Sequence, residues 1–354
     1  MAKKWFRKGA RLEKTASGLT AQLKNELDRL PDDLNEAQIA ALEPEAFQQV
    51  EYNEWKAEST GYSNYSYWRC TWQAFWKNGV ARFLLIALCA LLIFTVIQPY
   101  LPGQKDPNQI FNTVDKYGKT SPMKNQAPSG EFWFGTDAVG HDLWARIWSG
   151  TRTSLLLALI VAVFNCIFGI TIGVLWGYVR KLDALLTEVY NIIDNIPRTI
   201  ILILISYIMQ PGMLTMIISM CVVGWLGMAR FIRNQIVMIR DRDYNLASRC
   251  LGTGTGKIML RNLLPYLVSV IMLQTALAIP AVISDEVFLT YCGLGMPKSV
   301  ASLGNLVEDG RKVMMSPTQR YQLIFPALVV SFITVAFYLI GNAFADASDP
   351  RNHV

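Results

Sequence analysis

Six stretches of this chain are long and apolar enough to cross a lipid bilayer or nearly so: 80–97, 155–176, 189–209, 213–228, 263–283 and 323–344. A hydrocarbon layer about 30 Å thick takes roughly 20 helical residues. Backbone N–H and C=O groups find no partners in hydrocarbon, so such segments are helices that satisfy themselves. The 354 residues are 52% hydrophobic and only 17% charged, with mean hydropathy +0.26. That is the balance of a polytopic membrane protein with soluble attachments. The expected fold is all-α, with six transmembrane helices behind a polar N-terminal extension.

The third and fourth stretches constrain the arrangement further. Residues 189–209 carry Asp194, Pro197 and Arg198 in their first half, so only 199–209 is cleanly apolar. Charge in hydrocarbon is costly, and this helix is expected to be irregular or to face the bundle there. Gln210-Pro211-Gly212 is all that separates it from the fourth, a turn so tight that the two form an antiparallel pair. The chain then divides into an extension (1–75), a first span (76–98), an exported loop (99–150), a core of five spans (151–346) with a cytoplasmic loop at 240–262, and a tail (347–354).

Lysine and arginine orient the spans. Lys3, Lys4, Arg7, Lys8, Arg11 and Lys14 precede the first span, Arg180 and Lys181 follow the second, and Arg230, Arg233, Arg240, Arg242, Arg249, Lys257 and Arg261 lie between the fourth and fifth. All fall on one side if the amino terminus is inside. Lys105, Lys116, Lys119, Lys124, Lys298, Arg311, Lys312 and Arg320 lie on the opposite side, so the bias is one of balance. Both termini are expected in the cytoplasm. Residues 1–75 lack the apolar core of a secretory signal, which makes the first span an uncleaved anchor. Leu19, Leu23, Leu27 and Leu30 recur at helical spacing up to Pro31, and 32–60 is acidic, a solvated face or a cover for a basic surface.

Six cysteines show no metal-binding spacing, and with two histidines, His141 and His353, the sequence offers little from which to build a metal site. Gly252-Thr253-Gly254-Thr255-Gly256-Lys257 superficially suggests a phosphate loop. That loop needs a glycine five positions before Gly256 and a hydroxyl residue after the lysine, where Leu251 and Ile258 stand. The segment reads instead as a glycine turn inside a polar stretch between two apolar runs.

That stretch, 240–265, contains Ala247, Ser248, Arg249 and Gly252, then Lys257 and Arg261, and reaches Leu264-Pro265 thirteen residues after the glycine. A short helix, a glycine turn, an amphipathic segment and a proline opening the next span are the expected order. The pattern resembles the Glu-Ala-Ala loop by which ABC importer permeases dock on their ATPases, with Leu246 in place of the glutamate and Ser248 in place of the second alanine. The resemblance implies a coupling role for Ala247, Ser248, Arg249, Gly252, Lys257, Arg261 and Pro265.

A second segment, FWFGTDAVGHDLWARIWSGTRTSL at 132–155, resembles the stretch by which permeases of the oligopeptide/dipeptide type enter their common core. Gly135, Thr136, Asp137, Gly140, Asp142, Arg146, Gly150 and Arg152 match in order and spacing, while Phe132-Trp133 replaces a His-Pro pair and His141 an arginine. Asp142, Arg146 and Arg152 either build a docking surface or satisfy one another where the helix leaves the interface. Further matches lie at Glu286–Gly295, at Gly304-Asn305, at 308–311 and at 341–351. The order of the motifs is that of the second, or C, permease of oligopeptide importers.

The resemblance implies half of a translocation pore, a homologous second permease, two ATP-binding subunits carrying ATP and magnesium, an external binding protein and a peptide substrate. It implies no cofactor on this chain. Asp194, Asp285 and Glu286 are the gate or translocation candidates. A carboxylate near hydrocarbon needs a partner, and for Asp285 and Glu286 that is either a cationic peptide end or the backbone amides of the 293–295 turn. An ion-coupled secondary transporter using the same acids would need inverted repeats, and the halves show no convincing one. A membrane enzyme would need a metal triad or an activated nucleophile, and neither is apparent.

Overall fold

The computed structural model describes residues 67–114 and 120–348, so the expectations for the extension and for the end of the tail lie outside the described residues. Thr71–Asp349 forms one compact unit. Its helices are α1 (Tyr67–Lys77), α2 (Gly79–Ile97), α3 (Leu143–Tyr178), α4 (Arg180–Asp194), α5 (Arg198–Met209), α6 (Met213–Ile239), α7 (Asp243–Cys250), α8 (Thr255–Ile258), α9 (Leu264–Tyr291), α10 (Leu303–Val313) and α11 (Tyr321–Ser348). A small antiparallel pair, β1 (Asn112–Val114) with β2 (Thr120–Pro122), stands in the segment between α2 and α3.

Among the described residues, five helices are long and apolar enough to cross a membrane, and α4 with α5 makes a sixth if that bent pair counts as one span. The pair bends by 76°. Pro197 lacks an N–H and disfavours helical backbone at the residue before it, so α4 ends at Asp194 and α5 starts afresh at Arg198. This break is the irregularity expected in the polar first half of 189–209. Residues 189–194 belong to the amphipathic α4, and the 12 residues of α5 reach only about 18 Å. The fourth span continues past Met228 to Ile239, and the second begins at Leu143. Helix α3 thus starts inside the 99–150 segment, where Asp142 caps it: its Oδ2 accepts from the Ala145 N–H at 3.3 Å.

The centre of the bundle is the seam between α3 and α6. Gly169, Gly173 and Gly177 recur every four residues on one face of α3, and a Cβ at any of them would collide with Met228, with Ala229 and Ile232, or with Ile236 of α6. In lipid there is no water to expel from between helices, so close approach and dispersion contact hold them together, and small residues at this spacing allow it. Leu157, Ala158 and Val161 of α3 then pack on Met216 and Met220 of α6, with Val282 and Ile283 of α9 and Ile333 of α11 closing the core. α2 leans on α11 through Ala81, Ala343 and Ala347.

Gly173→Leu should force α3 and α6 apart, with an overpacking cost of about 1–3 kcal/mol. Thermal denaturation of the purified protein in detergent, read against Gly227→Ala, where a Cβ meets nothing within 4 Å, is expected to show a clear loss for the first and little for the second.

Candidate functional site

Two polar platforms sit at opposite ends of α3. At its amino-terminal end the loop that precedes Leu143 folds onto the helix ends. Gly135 adopts φ +77, and a Cβ there would strike the Gln126 carbonyl and the Tyr321 ring. The Thr136 hydroxyl donates to the Met123 carbonyl at 2.6 Å and accepts from the Gln126 N–H at 2.9 Å. Asp137 Oδ1 gathers the N–H groups of Val139, Gly140 and His141 at 2.8–2.9 Å. The Tyr321 hydroxyl, at the head of α11, lies 2.7 Å from the Gln126 carbonyl and 2.9 Å from that of Thr136, while Phe134 stacks on Phe325 at 4.0 Å.

Asp137, His141 and Arg146 form one cluster, with Arg146 Nη1 3.6 Å from Asp137 Oδ2. His141 Nδ1 lies 2.8 Å from Asp137 Oδ2 and 2.7 Å from Arg146 Nη1; one ring nitrogen serves one of them, as donor or as acceptor according to tautomer. Arg146 Nη2 donates to the Lys298 carbonyl at 3.0 Å, tying the loop to the segment before α10. Arg152 Nη1 donates to the Thr95 carbonyl of α2 at 2.6 Å. Asp142, Arg146 and Arg152 therefore do not satisfy one another. Asp142 caps α3 itself, while Arg146 and Arg152 each fasten a different element to it.

Burial works to raise the Asp137 carboxyl, but the hydrogen bonds from His141 and Val139 and the charge of His141 outweigh it and hold it below the ordinary value. At Asp142 burial prevails over the backbone N–H groups, and its carboxyl is pushed up.

At the far end of α3 lies the polar stretch 240–265. Arg240 donates to the Gly177 carbonyl at 2.6 Å, binding the end of α6 to the end of α3. Gly252 takes φ +77, ending α7 in the left-handed backbone that glycine adopts without cost. Pro265 stands in the first turn of α9, next to a π-helical stretch, Met259–Leu263, that joins α8 to α9 in one run from Thr255 to Tyr291. Ser248 donates to the Tyr244 carbonyl at 2.9 Å, and Arg249 reaches the Tyr178 hydroxyl at 3.2 Å.

Ala247, Lys257, Arg261 and Pro265 are exposed. The sequence reading missed the clamp beneath them. Asn245, fully buried, donates to the Ile239 carbonyl at 2.8 Å, and Asn262 donates to Asn245 Oδ1 and to Ser248 Oγ, both at 3.2 Å. Two asparagines seventeen positions apart give no local signal. Leu246 and Leu251 are left 42% and 85% exposed on this braced polar surface.

The three candidate acids separate. Asp194, at the end of α4, lies 3.3 Å from Arg230, with both side chains more than half exposed. Asp285 pairs with Arg198 at 2.6 Å. Glu286 is fully buried, and its Oε1 accepts from the Ser154 hydroxyl at 2.8 Å and the Gly304 N–H at 3.3 Å. The amides that Glu286 meets are thus at the start of α10, not at 293–295. The hairpin-like return after α9 brings α10 back beside it, a contact that the order of residues could not disclose. Among the described residues, no cluster of three or more His, Cys, Asp or Glu is placed to hold a metal ion.

Residues 169–354 match the family of binding-protein-dependent transport system inner membrane components. The oligopeptide transport system permease protein AmiD of Streptococcus pneumoniae is 36% identical over 315 residues, 89% of this chain and 100% of the relative. The dipeptide transport system permease protein DppC of Bacillus subtilis is 33% identical over 297 residues, 84% of this chain and 89% of the relative. A solved methionine ABC transporter, MetNI, in inward-facing form aligns with TM-score 0.47 and 19% identity over 57% of this chain and 96% of its own. The chain belongs to the family of binding-protein-dependent transport system inner membrane components. It is a multi-pass membrane protein, a non-catalytic permease that works with the other subunits of an ABC importer and a substrate-binding protein.

Asp137→Ala should release the 135–142 turn, at a cost of about 1.5–3 kcal/mol for bonds to a charged acceptor. A carboxyl lowered in the folded state contributes stability that is complete above its unfolded value and lost as pH falls through the folded one. Hydrogen exchange of 135–142 is therefore expected to be slow in the parent until the pH drops below about 3.9. In the variant it should be fast at neutral pH already.

Proposed function

We propose that this chain is one half of the translocation pore of an ATP-driven peptide importer, paired with a homologous second permease, two ATP-binding subunits and an external binding protein. The observation that carries the reading is the pair of platforms fixed to the two ends of one 36-residue helix, α3. Such a helix is about 54 Å long, enough to span the bilayer and reach both polar faces. The exported platform receives the binding protein and the 240–262 loop receives the ATPases, so both termini lie in the cytoplasm. ATP and magnesium stay on the partner subunits, and this chain binds no cofactor. The names of the relatives, permeases for oligopeptides and dipeptides, support a peptide as the cargo.

The mechanics follow from rigidity. Arg240, Asn245 and Asn262 lock α7 to the ends of α3, α6 and α9, so a push on Leu246 and Leu251 moves those helices as a body and does not bend a loop. Ala247, Ser248, Arg249, Gly252, Lys257 and Arg261 shape the surface that is pushed, and Pro265 starts the helix that transmits it. Asp194 pairs with Arg230 beside the broken span, and Asp285 with Arg198. Glu286, held by Ser154 and the start of α10, fastens the gate region to the exported platform.

Two measurements test this. The complete importer in liposomes should take up a labelled tripeptide only with ATP inside and binding protein outside, and the isolated chain should hydrolyse no ATP. Uptake of a nickel chelate in place of peptide would reject the cargo. Gly252→Val forces a β-carbon into the left-handed turn at a cost of about 1 kcal/mol or more, and should loosen co-purification of the ATPases while the membrane fold persists. Normal co-purification together with normal uptake would reject the coupling role.

A further inference from the structure

Between α3, α6 and α9 the bundle holds a cavity of about 310 Å³ that neither platform uses. Asn165 of α3, Gly224 and Gly227 of α6, Gln274 and Ala281 of α9 and Arg198 of α5 line it. Asn165, Gly224 and Gln274 lie near the midpoints of Leu143–Tyr178, Met213–Ile239 and Leu264–Tyr291. At that depth a polar side chain is expensive and tends to serve function. The volume is at the lower end of the range for small-molecule sites, about 300–1,000 Å³, so it fits a short stretch of chain and not a whole oligopeptide.

Asn165 is what points to a ligand. It is only 7% exposed, it lines the cavity, and its Oδ1 has no hydrogen-bond partner. Its neighbour Cys166 is engaged with the Thr275 hydroxyl at 3.2 Å. Gly224 keeps space for the carboxamide, since a Cβ there would collide with it, and a Cβ at Gly227 would meet nothing within 4 Å. A buried oxygen left unpaired costs about 1–3 kcal/mol, a cost that a passing ligand would remove. On α9, Gln274, Ala278, Ala281 and Asp285 follow one another at helical spacing and share a face. That face ends at the Asp285–Arg198 pair, in which the Arg198 side chain remains 44% exposed.

We propose that this cavity is a station on the translocation path that binds the main chain of a peptide and its terminal carboxylate; the proposal rests on the peptide-import reading above. A carboxamide offers an acceptor and two donors, so Asn165 and Gln274 match a peptide unit whatever its side chain. A guanidinium meets a carboxylate in a planar two-bond fork, which fits Arg198 for the free end. Between substrates Asp285 neutralises Arg198, so no unpaired charge stands in the membrane. The station recognises what all peptides share, and discrimination among side chains is left to other subunits.

The test uses the complete importer in liposomes, with labelled trialanine and trialanine amide as probes. Asn165→Leu should lower ATP-driven uptake of both by about tenfold or more, the factor that one lost polar contact of roughly 1.4 kcal/mol gives, with all subunits still co-purifying. Arg198→Gln should shift the trialanine-to-amide uptake ratio toward the amide by a similar factor. If Asn165→Leu fails to assemble, Gly227→Cys in a background with all six native cysteines of this chain replaced by alanine supplies the second readout: trialanine should slow alkylation of this chain by N-ethylmaleimide during turnover. A parent importer that takes up peptide, with variants matching its rates and ratio or with alkylation indifferent to trialanine, overturns the station alone. A parent that takes up neither probe overturns the peptide reading and the station with it.

Discussion

Close contact between α3 and α6 is the constraint on which the rest of this molecule depends. Inside a bilayer, apolar side chains gain nothing by leaving lipid for protein, so helices cohere only where their backbones come near enough for dense dispersion contact. Gly169, Gly173 and Gly177 grant that approach against Met228, Ala229, Ile232 and Ile236. The seam sets the position of Asn165 against Gly224 and, at the cytoplasmic end proposed above, brings Gly177 within reach of Arg240.

The polar residues then act as fasteners at places where water is scarce. Arg146 holds the segment before α10, Arg152 holds α2, and Glu286 with Ser154 holds the start of α10. Each joins groups far apart in sequence, and each is costly to leave unpaired at low dielectric. The bundle is thereby stiff at both faces while α5, cut loose by Pro197, is short and bent away from α4. A stiff frame around one broken span suits a pore that must open by moving bodies of helices and not by melting them.

Much of this was legible from the residues. Hydrophobic run length gave the spans. Pro197 with Asp194 and Arg198 marked the irregular one, and the glycine turn and Pro265 gave the order of the coupling segment. The residues did not give the size of that break: 189–194 belong to α4, which bends by 76° to α5. The apolar stretch at 155–176 also begins twelve residues after the helix start at Leu143, because the residues between are too polar and aromatic to register as hydrocarbon-spanning although they are helical.

By itself the sequence determined a helical membrane protein, its family resemblance, and two polar segments to either side of long apolar runs, because bilayer thickness and backbone satisfaction act on local composition. Only the tertiary structure decided which partner each charge has. Asp285 chose Arg198 across 87 positions, Glu286 chose Ser154 across 132, and Asn165 was left beside a cavity with no partner. Pairing at such separations follows from which helix faces meet, and that is settled by packing over the whole bundle, where no local pattern can register it.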